Sequence, residues 1–157
     1  MTIDLITVGK TDSAEVASLI SLYQKRINRY IKFSIISLPD IRNAKNMPEE
    51  SLKREEGTMI LKNVSDGDLL VLLDDKGYEY TSTGFAAWLQ KRMNSGTRRL
   101  VFVIGGAYGF SPAVKERAND AVSLSRMTFS HQIVRAIFSE QLYRAFTILN
   151  NEPYHHE

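Results

Sequence analysis

Short apolar runs alternate along the chain with longer stretches in which apolar residues recur every three or four positions. The short runs predict five β-strands, at 2–9, 32–38, 69–73, 99–104 and 121–125. The periodic stretches predict five helices, at 12–31, 48–63, 81–94, 112–119 and 130–150. Strands and helices that alternate in this way are typical of an α/β fold. We therefore predict a single α/β domain over residues 1–157, with a largely parallel sheet.

Two of these elements carry further information. The run LLVLL at 69–73 is continuously apolar, which is typical of a strand that is covered on both faces. The last helix has an apolar stripe that includes Phe138, Leu142 and Phe146. Such a stripe usually packs into the core of its own chain. Extension of this stripe into a dimer interface is the alternative.

Composition excludes several classes of function. The chain has no cysteine, so disulfides, thiolate metal sites and a cysteine nucleophile are excluded. Its first residues, MTIDLITVGK, lack the basic start and the long apolar segment of a signal peptide. No apolar run approaches the roughly 20 residues that span a bilayer. We expect a soluble, cytoplasmic protein with no membrane segment.

The net charge of +2 hides an asymmetry between the two halves of the chain. Residues 1–80 hold 11 Lys or Arg and 13 Asp or Glu, a balance of −2, whereas residues 81–157 hold 9 and 5, a balance of +4. Seven of the nine basic residues in the second half are arginines, which bind phosphate through a planar guanidinium. The second half faces nucleic acid in one interpretation and is an ordinary solvated surface in the other.

Motifs of familiar chemistry are incomplete in this sequence or absent from it. VGKT at 8–11 imitates the end of a Walker A loop, but Asp4 stands where that loop requires glycine. GGAYG at 105–109 lacks the G-x-G-x-x-G spacing and follows the fourth strand, so it is a weak dinucleotide motif. The chain contains no G-x-S-x-G elbow, and conventional hydrolase chemistry has no support.

Asp74 and Asp75 leave two interpretations open. They are paired carboxylates suited to a metal or to acid–base chemistry, or they belong to a turn that Gly77 completes. The three histidines, at 131, 155 and 156, do not have the spacing of metal ligands. We therefore expect no metal site.

Glycine- or serine-bearing segments follow three of the predicted strands: LLDDKG, IGGAYG and SLSRMTFSH. Ligands of open α/β sheets bind at the carboxyl ends of the strands. A site without an acid–base or metal constellation suits a ligand held by backbone groups and a reaction driven by positioning. Transfer of an already activated methyl group from S-adenosylmethionine has that character.

The segments FVIGGAYG, SLSRMTF, HQIVRAIFSEQLYRAF and NEPYHHE together resemble the RlmH family of SPOUT-class methyltransferases. ITVGK near the start, Leu38-Pro39 and REEG at 54–57 extend the likeness over nearly the whole chain. The resemblance implies a homodimeric enzyme that methylates N3 of a pseudouridine in bacterial 23S rRNA, within the large subunit or the whole ribosome. It also implies a C-terminal trefoil knot, in which the last segment threads through a loop.

Carried over by motif, the resemblance assigns eight residues to S-adenosylmethionine: Leu73, Gly105, Leu124, Ser125, Arg126, Met127, Thr128 and Phe129. Apolar side chains among them would sandwich the adenine, and backbone groups would bond to its edge. Gly105 and Gly106 would form a loop of the knot. This loop would have no side chains at these positions because another segment of the chain and the cofactor both pass close to it. Without the resemblance, Leu73, Leu124 and Phe129 are interpreted as ordinary core residues.

For the RNA substrate, the resemblance points to Arg144, Tyr154 and His155 as catalytic residues. Their chemistry suits that role, since arginine binds phosphate, tyrosine stacks on a base and histidine carries protons. His155 is a candidate base for the N3 proton, and water is the alternative. Two positions depart from the family pattern: Ser130, where proline is common, and His156, where Arg or Lys is usual.

Two rival functions stay open at this point. One is a non-catalytic RNA-binding protein of ribosome assembly, and the other is a SPOUT enzyme that methylates tRNA. The intact glycine loop and cofactor segment count against a pure binder. The chain has no additional RNA-binding domain, which fits a substrate that the ribosome's own surface helps to present.

Overall fold

A computed structural model describes all residues from 1 to 157. It contains five strands: β1 (Thr2–Val8), β2 (Phe33–Leu38), β3 (Leu69–Glu79), β4 (Arg99–Ile104) and β5 (Asp120–Ser123). The five helices are α1 (Ala14–Ile27), α2 (Glu49–Lys62), α3 (Ser82–Asn94), α4 (Pro112–Arg117) and α5 (Ile133–Leu149). A 3₁₀ turn at Ala44–Asn46 lies between β2 and α2. The predicted alternation of strands and helices is confirmed.

The five strands form one sheet in the order β2-β1-β4-β3-β5, and every pairing is parallel. Parallel neighbours need crossover connections, so helices cover both faces of such a sheet. The α/β prediction is therefore correct, and the sheet is wholly parallel. The trefoil knot stays a prediction from the resemblance.

Two apolar clusters hold the helices to the sheet, one on each face. One cluster joins α1, α3 and α5 to the sheet, and the other joins α2 and α4 to it. Successive residues of β4 belong to different clusters, with Phe102 in the first and Val101 and Val103 in the second. Because side chains alternate across a strand, a strand covered on both faces must be apolar throughout. This explains the continuous apolar runs in the sequence.

The structure corrects the turn interpretation of Asp74 and Asp75. β3 does not end at Leu73 but continues to Glu79, with a shift of its register against β5 after Leu73. The physical reason lies at Gly77, where a Cβ atom would come within 2.6 Å of the backbone of Val122. Glycine therefore lets the two strands approach each other and stay paired. The turn interpretation was wrong.

Six of the seven arginines in the second half make contacts within the chain. Four form ion pairs with Asp or Glu, namely Arg92, Arg99, Arg126 and Arg144. Arg117 and Arg135 donate to backbone carbonyls. Four of the nine basic residues in this half are thus paired with a carboxylate of the same chain. None of the helices is both long enough and apolar enough to cross a membrane.

Candidate active site

The carboxyl ends of β3, β4 and β5 surround a cavity of about 320 Å³. Its walls are drawn from residues 73–75, 104–110 and 122–134. The volume lies within the range of small-molecule sites, roughly 300–1,000 Å³. The cavity therefore occupies the edge of the sheet at which α/β proteins bind ligands.

A tight glycine turn forms one wall of the cavity. The carbonyl oxygen of Gly106 accepts a hydrogen bond of 3.2 Å from the N–H of Gly109. Gly109 has a φ of +84°, a conformation that suits glycine. A Cβ atom on Gly105 would lie 3.1 Å from the Phe110 ring. The turn consequently exposes bare backbone to whatever occupies the cavity.

The loop between β5 and α5 forms the opposite wall. The Ser123 hydroxyl donates to the Ser125 carbonyl at 2.9 Å, and the Met127 N–H donates to Ser125 Oγ at 2.9 Å. These bonds fold the loop on itself. Ser130 Oγ accepts from the N–H of Ile133 at 3.1 Å, so the Ser130 hydroxyl closes the turn that leads into α5.

The walls combine apolar and acidic side chains. The apolar residues Leu73, Leu124 and Phe129 line the cavity, and so do the acidic residues Asp74 and Asp75. Such a lining suits a ligand that has a flat apolar part and a positive charge. The structure contains no group of three or more His, Asp and Glu side chains placed to hold a metal ion together.

Glu56 lies directly behind the glycine turn. This residue is only 7% exposed, and a Cβ atom on Gly106 would collide with its carboxylate. Burial raises the pKa of the Glu56 carboxyl, and the nearby N–H of Gly106 partly opposes that rise. The Glu56 carboxylate, which comes from α2, thus occupies the space that a side chain at position 106 would need.

The VGKT segment makes contacts that do not suit phosphate binding. The carbonyl oxygens of Val8 and Gly9 accept hydrogen bonds from the Arg135 guanidinium, at 2.8 and 2.9 Å. Gln132 Nε2 donates to the Lys10 carbonyl at 3.0 Å. The segment therefore presents carbonyl oxygens to α5, whereas a phosphate loop presents N–H groups to its ligand.

The three residues assigned to the RNA substrate meet at a second location. The Arg144 guanidinium lies over the Tyr154 ring, 4.7 Å from its centre, and Arg144 Nη1 lies 3.2 Å from His155 Nδ1. Both Tyr154 and Arg144 contact the carboxylate of Glu140. We call Glu140, Arg144, Tyr154 and His155 the tail cluster.

The contact with Arg144 determines the tautomer of His155. A guanidinium only donates hydrogen bonds, so Nδ1 of His155 must accept this one. In the neutral ring the proton then lies on Nε2. Nε2 is buried and makes no hydrogen bond, although the Glu157 carboxylate lies 3.4 Å away.

Within one chain, the tail cluster and the cavity are separate. Val134 lines the cavity, and Arg144 follows it ten positions later in the same helix. At 1.5 Å per residue these positions are about 15 Å apart along the axis of α5. No residue of the tail cluster lines the cavity.

A comparison with known families settles the kinship of this chain. A family model described as "Predicted SPOUT methyltransferase" matches residues 1–155. The chain belongs to the SPOUT methyltransferase family. The resemblance to SPOUT-class methyltransferases noted in the sequence is thereby confirmed.

Full-length relatives named "Ribosomal RNA large subunit methyltransferase H" agree with the family model. The protein of that name from Christiangramia forsetii is 54% identical over 156 residues, which cover 99% of both chains. Those from Parabacteroides distasonis and Flavobacterium johnsoniae are 54% and 55% identical over 157 residues, the full length of both chains in each case.

The structure brings seven of the eight predicted cofactor residues together around the cavity. The exception is Arg126, whose exposed side chain pairs with Glu79 at 3.0 Å. Asp74, Asp75 and His131 also line the cavity. The sequence places them in segments at the ligand-binding edge of the sheet, but it assigned none of them individually to the cofactor. Their position directly after a predicted strand was the available signal for the two aspartates.

Proposed function

We propose that this chain is an S-adenosylmethionine-dependent enzyme that methylates N3 of a pseudouridine in bacterial 23S rRNA. The substrate is the rRNA within the large subunit or the whole ribosome, and the enzyme works in the cytoplasm as a homodimer. Residues 1–157 form its single domain. The observation that carries this proposal is the cavity between the glycine turn and the loop after β5, in a member of a methyltransferase family.

The residues around the cavity fit S-adenosylmethionine. Apolar side chains at Leu73, Leu124 and Phe129 suit the flat adenine, and the bare backbone at Gly105 suits its polar edge. Asp74 and Asp75 suit the positively charged end of the molecule. When bound, S-adenosylmethionine supplies a methyl group on a positively charged sulfur, which needs no further activation.

The tail cluster supplies groups for the RNA. Arg144 suits a backbone phosphate, and the buried Arg144 Nε has no hydrogen-bond partner within the chain. Tyr154 suits stacking or hydrogen bonding with a base. In this proposal both residues orient the target base so that N3 faces the methyl group.

Methylation at N3 requires loss of the N3 proton, and His155 is our candidate acceptor. In the neutral ring, Nδ1 carries the lone pair that can accept a proton. Within the chain, this lone pair accepts a hydrogen bond from Arg144. If an RNA phosphate takes the hydrogen bond of Arg144 Nη1, while Arg144 Nη2 stays on Glu140, Nδ1 becomes available as a base. A water molecule is the alternative acceptor.

The separation of the two sites supports a homodimer. One chain holds the cavity and the tail cluster about 15 Å apart along α5, yet methyl transfer requires the reacting atoms to be in contact. A two-fold axis would bring the tail of one copy to the cavity of the other. The active site is then composed of residues from both copies.

Calorimetric titration with S-adenosylmethionine tests the proposal first. We compare the wild type with Gly105→Trp, whose side chain would fill the space beside Phe110. Binding by the wild type and none by the variant, with matching circular dichroism spectra, supports a cofactor site at the glycine turn. Absence of binding by a folded wild type would instead favour the non-catalytic RNA-binding protein.

Transfer of a labelled methyl group identifies the substrate. Ribosomes that lack the modification are offered beside bulk tRNA, and the labelled nucleotide is identified after digestion. Label at N3 of a pseudouridine in 23S rRNA supports the proposal. Label in tRNA would replace it with the rival SPOUT activity.

A further inference from the structure

One carboxylate, that of Glu140, joins two of the residues proposed to act on the RNA. Its Oε1 accepts a hydrogen bond of 2.9 Å from the Tyr154 hydroxyl and a second bond from Arg144 Nη2. Glu140 lies in α5, one turn before Arg144, whereas Tyr154 lies in the C-terminal tail. The carboxylate therefore fastens the tail to the helix where these side chains meet.

The position of Arg144 depends on the same contact. The side chains of Arg144 and Glu140 are only 24% and 20% exposed. An ion pair that is largely removed from water is stronger and more rigid than one on the surface. Glu140 thus holds the guanidinium over the Tyr154 ring and offsets its charge.

The contact with Glu140 also determines whether the Tyr154 hydroxyl donates a hydrogen bond to a substrate or accepts one. A phenol has one proton, and in this cluster that proton points to Glu140. Burial, together with the neighbouring Tyr23 and Glu140, raises the pKa of Tyr154, so the phenol stays protonated at neutral pH. The phenol oxygen can then act toward a substrate only as an acceptor, through a lone pair that the neighbouring Tyr23 hydroxyl does not use. The N–H groups of a pseudouridine base are suitable donors.

We propose that Glu140 is a positioning residue for RNA methylation, which orients Tyr154 as a hydrogen-bond acceptor for the target base and holds Arg144 beside it. The inference rests on the proposed function, because it assumes that the tail cluster meets the RNA. Glu140 itself touches neither the cavity nor, in this proposal, the reacting atoms.

Glu152 offers a matched control in the same tail. Its carboxylate accepts a hydrogen bond of 2.6 Å from the Tyr30 hydroxyl and ties the tail to the turn that follows α1. Glu152→Gln removes the charge of a second carboxylate–tyrosine pair without touching the side chains of the tail cluster. A general effect of loosening the tail would therefore appear in Glu152→Gln as well.

The experiment measures methyl transfer to ribosomes that lack the modification, together with S-adenosylmethionine affinity and the thermal midpoint. We expect Glu140→Ala to lower kcat at least about tenfold, because the reacting groups lose their alignment. Affinity for S-adenosylmethionine stays within about twofold, since Glu140 is not among the residues that line the cavity. Glu140→Asp recovers part of kcat, and Glu152→Gln keeps the wild-type kcat.

Two results overturn the inference while the proposed function stands. One is a wild-type kcat in Glu140→Ala, and the other is a parallel fall of kcat, cofactor affinity and thermal midpoint, which marks a purely structural role. A wild type that binds S-adenosylmethionine but transfers no methyl group to ribosomes refutes the proposed function, and the inference falls with it.

Discussion

The Arg135 guanidinium donates a hydrogen bond of 2.8 Å to the carbonyl oxygen of Val8, 127 positions earlier in the chain. Arg135 is 1% exposed and has no carboxylate partner. Its other acceptors are the carbonyls of Gly9 and His131 and the hydroxyl of Thr11. Burial accordingly lowers the pKa of Arg135. This one cation joins the end of β1 to the start of α5, beside the cavity.

Arg135→Met should lower the free energy of unfolding by about 3 kcal/mol, because buried carbonyl oxygens lose their donors. Urea denaturation measures the change. Arg98→Met is the control, since Arg98 is exposed and makes no ion pair, and a change within about 0.5 kcal/mol is expected there. Equal stability of the two variants would show that the carbonyls find other donors.

Gly77→Ala tests the extension of β3. The new Cβ would press against the backbone of Val122 in β5, and we expect a loss of about 1–3 kcal/mol of unfolding free energy. Gly67→Ala is the control, because a Cβ at Gly67 would meet no atom within 4 Å. If Gly77→Ala is as stable as Gly67→Ala, the residue lies in an open turn, as the sequence first indicated.

Glu56→Gln should stabilise the protein at neutral pH. Burial raises the folded-state pKa of this carboxyl above the ordinary value of 4.5. The folded state therefore binds the proton more tightly than the unfolded state, and stability from this group is present below pH 4.5 and lost as pH rises through the raised pKa. The amide in the variant has no charge to bury, so the variant does not lose stability in this way as the pH rises.

Urea midpoints of the wild type and Glu56→Gln between pH 4 and pH 8 measure this effect. The advantage of the variant should grow as the pH rises. Glu55→Gln, at an exposed neighbouring position, should show no such trend. A pH-independent difference between Glu56→Gln and the wild type would contradict a buried, titrating carboxyl.

The sequence predicted the order of elements well because each strand and helix has a strong local pattern. Residues 99–104 form β4 as predicted, since an apolar run closed by Gly105 leaves little choice. The sequence predicted the end of β3 too early, at residue 73, because Asp74, Asp75 and Gly77 have low strand propensity. Only the approach of β5, which no local pattern contains, keeps them in the sheet.

The sequence likewise predicted some parts of the candidate site and missed others. Residues 124–129 are adjacent in sequence and were assigned to the cofactor together, by their motif. Assigning one continuous loop requires little knowledge of the tertiary structure. Glu56 in α2 contacts Gly106 of the cavity wall, and Arg135 in α5 bonds to Val8 at the end of β1. Both contacts join residues that are distant in sequence. Such contacts depend on how helices cross the sheet, so a single sequence gives no direct sign of them.

Tyr154→Ala should abolish methyl transfer and leave S-adenosylmethionine affinity unchanged. The substitution removes the ring that lies under the Arg144 guanidinium and the hydroxyl bonded to Glu140. Single-turnover methylation and calorimetric titration measure the two properties separately. Tyr30→Phe keeps an aromatic ring near the tail and should methylate normally. Weaker cofactor binding by Tyr154→Ala would show that the tail supports the cavity instead of the RNA.

A mixed dimer of Gly105→Trp and Tyr154→Ala tests whether two copies share each active site. In a shared arrangement, one of the two sites in the mixed dimer combines an intact cavity with an intact tail from the other copy. We expect about half of the wild-type activity per dimer, given two equivalent sites related by the two-fold axis. Two affinity tags isolate the mixed dimer, and methyl transfer is measured on ribosomes that lack the modification.

The homodimers of the two variants are the controls, and both should be inactive. If each chain instead brings its own tail to its own cavity, every site in the mixed dimer carries one defect. An inactive mixed dimer that is folded and fully associated would therefore place the whole active site within one chain. In that case the tail must leave its position beside Glu140, because α5 holds Arg144 about 15 Å from Val134 along its axis.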